Sequence, residues 1–142
     1  MKMIRECTTQ EQWKEAFPLM KQLRTHLNEE EFLTLVELAV NENHYRLFGV
    51  WTNNMLAGVV GFMPMTTLYY GRYIWICDLV TDSSLRSRGY GIKLLKFVEN
   101  YAKEHDISKV ALSSGLQRKE AHRFYEEKGH YDRVSFVFKK DL

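Results

Sequence analysis

Residues 78–102 read DLVTDSSLRSRGYGIKLLKFVENYA, and this stretch decides the fold. A short apolar run ends at Val80, and a polar turn leads into Arg86, Ser87, Arg88, Gly89, Tyr90 and Gly91. Apolar residues then return at helical spacing as Leu94, Phe97, Val98, Tyr101 and Ala102. A strand, a basic glycine loop and a helix in that order make a cradle for phosphate. Glycine lets the backbone approach an anion closely, and the N–H groups and positive dipole end of the helix attract it. Arg86 and Arg88 add charge suited to phosphate oxygens.

Two well-known phosphate loops do not fit. A Walker A loop needs a hydroxyl residue after the lysine, but Gly91 is followed by Ile92, Lys93 and Leu94. The dinucleotide fingerprint needs a third glycine where this chain has Leu94. What does fit is R-x-x-G-x-G, as Arg86, Gly89 and Gly91 at the head of a helix. This resembles the pyrophosphate loop of the GCN5-related N-acetyltransferases (GNAT), which bind acetyl-CoA there. A second element supports the resemblance. Ala121, Phe124, Tyr125 and Gly129 are similar to that family's A-x-x-[LF]-Y-x-x-x-G-[FY] segment, with the final aromatic, Tyr131, one residue late. It follows the glycine loop after a strand-like run at residues 109–113, in the family's order.

The rest of the chain reads as one domain spanning residues 1–142. That length suffices to bury roughly two-thirds of the unfolded surface. Hydrophobic residues at 45% and charged residues at 27% are those of a globular protein. A net charge of +2 without a basic run gives no reason to expect a nucleic-acid partner. Two isolated cysteines make no disulfide framework, and the five histidines show no metal-ligand spacing. Met1 to Glu6 does not read as a signal peptide, and no apolar stretch reaches the ~20 residues of a membrane span. Cytoplasmic residence is the expectation, and a homodimer is left open.

Residues 3–7 read as a strand, and Thr8 with Glu11 as a capping box opening a helix over Trp13, Ala16, Phe17, Met20 and Leu23. Pro18 inside that pattern predicts a kink or break near Phe17. Asn28 caps a second helix whose apolar stripe is Phe32, Leu35, Val36, Ala39 and Val40. Strands at residues 45–51 and 55–62 flank an Asn53-Asn54 turn, and a third covers residues 73–80. The chain then runs through the glycine-loop helix, the strand at 109–113 and a helix ending at Gly129. Val134, Phe136 and Phe138 predict a final alternating strand. The expected class is α/β, or α+β with a mixed sheet. The resemblance makes it the acyl-CoA N-acyltransferase fold, a mostly antiparallel sheet splayed at the cofactor site and flanked by helices.

The resemblance also implies roles. The backbone at Arg88, Gly89, Tyr90, Gly91 and Ile92, with Arg86, would bind the pyrophosphate of acetyl-CoA. Leu79 and Val80 would be the strand end that pairs with the pantetheine arm, and Tyr125 the general acid for the leaving thiolate. Relatives often carry a glutamate where this chain has Cys77, so Asp78, acting through water, is the candidate base. Direct attack by an amine on a thioester needs no covalent enzyme intermediate.

The stretch around Leu112, Ser113, Ser114 and Arg118 is similar to the aminoalkylphosphonate and small-amine branch. That suggests a small anionic primary amine as acceptor, with Arg72 and Arg118 as cations that would converge on it. Aminoglycosides, polyamines and protein amines stay open as acceptors. So does a CoA-binding sensor without catalysis, because Cys77 replaces the usual acid.

Overall fold

The computed structural model describes residues 2–142, in two units of which one runs through Ala111 and the other is Leu112–Leu142. The first unit begins with β1 (Lys2–Cys7), α1 (Gln10–Leu23) and α2 (Glu29–Asn43). Three long strands follow: β2 (Arg46–Thr52), β3 (Met55–Thr67) and β4 (Gly71–Thr81). A single 3-10 turn, Ser83–Leu85, leads to α3 (Tyr90–Glu104), and β5 (Val110–Leu112) closes the sheet order β1-β2-β3-β4-β5. The β1–β2, β2–β3 and β3–β4 pairings are all antiparallel. The mixed α/β, mostly antiparallel architecture expected from the sequence is what forms.

Local chemistry explains the helix starts. Thr9, one residue later than the box expected at Thr8, accepts the Gln12 N–H at 3.2 Å, while Gln12 Oε1 accepts the Thr9 N–H at 3.0 Å. Asn28 and Glu31 make the same reciprocal cap on α2. Pro18 does not break α1, which continues through it to Leu23. One missing N–H is outweighed by the cap and by burial of Ala16, Leu19 and Met20. The Asn53-Asn54 turn forms as expected, both residues taking the left-handed φ values (49° and 63°) that a tight hairpin needs.

Both faces of the sheet are covered. Leu47, Trp51, Val59 and Val80 pack with Ala16, Leu19 and Met20 of α1 and with Phe32 and Val36 of α2. Leu35, expected in that stripe, is exposed instead. On the opposite face α3 lays Phe97 against Phe48, ring centroids 4.6 Å apart, and Tyr101 against Phe62 at 5.0 Å. Leu94, Leu95 and Val98 are completely buried there, each stabilising by about 1.5–3 kcal/mol.

The second unit contains a short helix α4 (Lys119–Arg123) continued by one π-helical turn, Phe124–Lys128. Residues 130–142 carry no helix or strand, so the alternating strand expected there does not form. Val134, Phe136 and Phe138 are exposed. Alternation creates an apolar face, but a strand also needs a partner for its ladder.

Candidate functional site

In β4 the ladder to β3 is regular except at one place. Gly61 pairs with Asp78 and Phe62 with Ile76, so Cys77 is an extra residue, a β-bulge. Paired residues share a face, so the bulge puts Ile76 and Asp78 on opposite faces although they are two apart. Asp78 thereby reaches the α1 side. Its Oδ1 accepts from Arg24 Nε at 3.0 Å, and its Oδ2 accepts from the Tyr45 hydroxyl at 2.7 Å. A second Arg24 nitrogen donates to the Cys77 carbonyl at 2.8 Å.

Gly61 is required opposite this cluster, because a Cβ there would land on the Tyr45 hydroxyl. Burial, then the Asp78 charge, push the Tyr45 phenol well above its ordinary pKa. Burial, again followed by the Asp78 charge, pushes the Cys77 thiol up to about 12. At neutral pH this cysteine is therefore a thiol and not a nucleophilic thiolate.

Beyond Val80 the strand gives way to the basic loop. Asp82 Oδ1 accepts from the Ser84 N–H at 2.9 Å and from its hydroxyl at 2.6 Å, and these bonds hold the Asp82 carboxyl below its usual pKa. Ser87 and Gly89 take left-handed φ values of 64° and 84°. Gly89 is the N-cap of α3 and supplies no side-chain cap to its first turn. A Cβ built on Gly89 meets nothing within 4 Å, so the space in front of the helix start is open. An uncapped helix start behind an open, positively flanked turn fits a phosphate group. Arg86 and Arg88 are exposed beside it, whereas the Tyr90 side chain is buried, leaving that residue's backbone for the role expected of it. Leu79 is half-buried and Val80 buried at the strand end.

Arg72 does not belong to this end. It sits at the start of β4 opposite Thr66, whose hydroxyl it donates to at 3.0 Å. Six residues of strand lie between it and Leu79, roughly 20 Å at the usual rise per residue. Arg72 therefore lies far along β4 from Leu79 and Val80, the strand end that the resemblance gives to the cofactor arm.

In the second unit, Tyr125 lies in the π-helical turn, half-buried, its ring 5.4 Å from Phe124 and 6.2 Å from Tyr131. The late aromatic of the motif is accommodated by His130, which takes φ 60°, so that the Tyr131 N–H returns to the Tyr125 carbonyl at 2.9 Å. Arg118 is exposed at the N-cap of α4. His122 is tied through Nε2 to the Gly115 carbonyl at 2.7 Å.

The Acetyltransferase (GNAT) family model matches residues 7–130. The chain belongs to the GNAT acetyltransferases. It is 39% identical over 139 residues to the uncharacterized N-acetyltransferase YhdJ of Bacillus subtilis (strain 168), covering 98% of both chains. It is 31% identical over 100 residues to the aminoalkylphosphonate N-acetyltransferase of Salmonella typhimurium, covering 70% of this chain and 63% of that one. The aminoglycoside N-acetyltransferase AAC(6')-Iy, solved in complex with CoA, has the same fold with a TM-score of 0.85 at 14% identity, over 99% of this chain and 95% of that one.

This GNAT protein is an acetyl-CoA-dependent N-acetyltransferase. No helix among its described residues is long and apolar enough to cross a membrane. Sequence reasoning missed Arg24, Tyr45 and Gly61. A glycine inside an apolar strand was the one available signal, since it marks a close approach.

Proposed function

We propose that this acetyltransferase modifies the primary amine of a small anionic molecule of the aminoalkylphosphonate class. The observation that carries the reading is the likeness, 31% identical over 70% of this chain, to an enzyme with that acceptor in its name. The slightly basic balance of the chain, +2, suits an anionic acceptor better than a polycation. With Arg72 at the far end of β4, Arg118 is the cation assigned to the acceptor's anionic group.

Bound acetyl-CoA supplies the acetyl group as a thioester. The backbone of residues 88–92 and the Arg86 side chain hold its pyrophosphate, and the β4 end at Leu79 and Val80 aligns the arm. The neutral amine nitrogen bonds to the acetyl carbon, the carbon–sulfur bond breaks, and the proton lost from nitrogen passes to solvent water. Tyr125 Oη donates its proton to the departing thiolate, and solvent restores it. The phenol's ordinary pKa, about 10, lies close enough to a thiol's, about 8.5, for that transfer.

Comparison of kcat/KM for 2-aminoethylphosphonate with that for a neutral amine of equal chain length tests the acceptor. A charge-assisted contact contributes about 1.5–3 kcal/mol, so a preference of roughly ten- to hundredfold is expected, and Arg118→Ala should abolish it. A neutral amine or an aminoglycoside as the better substrate refutes the anionic acceptor.

A further inference from the structure

The last turn of α1 grips β4 on both sides of the segment assigned above to the cofactor arm. Upstream, Arg24, the C-cap of α1, spans the bulge: one nitrogen bonds the Asp78 carboxylate and another the Cys77 carbonyl. Downstream, Gln22 Oε1 accepts the Ser83 N–H at 3.0 Å, where the strand passes into the glycine loop. Residues 77–83 are thus held at both ends by side chains two apart on one helix. Lys21 secures the same helix end, its ammonium donating to the carbonyls of Thr25 and Leu27 at 2.7 and 2.6 Å.

The bulge makes such a grip necessary. An extra residue drops out of the ladder, so the Cys77 carbonyl faces the α1 side, and Arg24 is the donor that meets it there. Asp78 Oδ1 and Oδ2 each already accept a bond, from Arg24 and from Tyr45. Its carboxylate is 17% exposed against 39% for the Arg24 side chain, so the pair is partly shielded from water. Taking up a proton from an amine would cost Asp78 the charge on which its bond to Arg24 depends. The geometry suits an anchor.

We propose that Arg24 is a positioning residue for acetyl transfer. Through Asp78 and the Cys77 carbonyl it fixes the bulge, and so aims the backbone of Leu79 and Val80 at the cofactor arm. This rests on the reading of that strand end as the acetyl-CoA site. Arginine suits the site better than lysine, because its planar fork holds two N–H donors in a fixed geometry and reaches both acceptors with less loss of freedom. Asp78 then acts as the fixed end of the fork, in place of the base role expected from sequence.

The test measures the acetyl-CoA Kd by calorimetry for the wild-type protein and for Arg24→Ala, Arg24→Lys and Gly89→Ala, each checked for folding by near-UV circular dichroism. Arg24→Ala is expected to weaken binding roughly ten- to hundredfold, the value of a lost charged hydrogen bond. Guanidinium at millimolar concentration should restore the affinity of Arg24→Ala, while sodium chloride at equal ionic strength should not. Arg24→Lys should recover only part of it. Unchanged affinity in folded Arg24→Ala, or a loss that guanidinium does not rescue, overturns the positioning role. If Gly89→Ala loses affinity in that same experiment, the cofactor site itself stands. Failure of the wild-type protein to bind acetyl-CoA would overturn both.

Discussion

Gly89 and Gly71 form a matched pair for testing the phosphate cradle. Both hold φ in the left-handed region, at 84° and 73°, and a Cβ built on either meets nothing within 4 Å. Alanine at either position therefore introduces strain without a clash, about 1–2 kcal/mol. Gly71→Ala should lose that much stability in urea unfolding, and Gly89→Ala less, to the extent that its open loop relaxes.

Their acetyl-CoA affinities should differ. In free Gly89→Ala the loop relaxes toward negative φ, and binding must restore the strained form. Up to the same 1–2 kcal/mol is then taken from binding, roughly a 5- to 30-fold rise in Kd. Gly71 starts β4, with Arg72, at the end remote from the loop, so Gly71→Ala should bind acetyl-CoA like the wild type. Calorimetry on the two variants decides it. Equal affinities for both would show that the Gly89 turn only reverses the chain and does not cradle a phosphate.

Tyr125→Phe should keep acetyl-CoA affinity, because the ring still packs beside Phe124, while kcat falls by about 10²–10⁴ with the proton donor gone. A wild-type kcat in steady-state thiol release would reduce Tyr125 to packing. Alkaline conditions should destabilise the protein. Burial pushes Cys7 up to about 11 and Cys77 up to about 12, and Tyr45 is raised as well. Above pH 9, the ordinary thiol value, the folded chain therefore binds more protons than the unfolded one, and stability falls as pH rises toward the folded values. Urea midpoints from pH 8 to 11 should decline, and a flat profile would contradict the burial of these groups.

The parts of the fold that were legible in sequence are those whose causes lie within a few residues. The Asn53-Asn54 turn, the Asn28 cap and the strand–glycine–helix run at residues 78–102 each carry their own reason for forming. Features defined by a distant partner were not legible. The bulge at Cys77 exists only relative to Gly61 and Phe62, and Arg24 meets Asp78 from 54 positions away. Nothing near Asp78 betrays that its oxygens are engaged, so a lone carboxylate at a strand end reads as a free base. Arg72 is a similar case: strand length had to be converted into distance before its separation from Val80 became plain. The alternating Val134, Phe136 and Phe138 failed for the converse reason, since periodicity describes one segment and a strand is a relation between two.

The hydroxyl of Tyr45 occupies the volume that a side chain at position 61 would need. Three positions spread over β3, β4 and the turn before β2 are therefore bound to change together over evolutionary time. A relative that acquires alanine at 61 must surrender the tyrosine at 45, and its acid at 78 then loses a donor and favours an amide or a smaller residue. In aligned relatives, glycine at 61 should accompany tyrosine at 45 far more often than independent drift allows. Frequent pairing of tyrosine at 45 with a bulkier residue at 61 would show that the strand can yield where this structure leaves it no room.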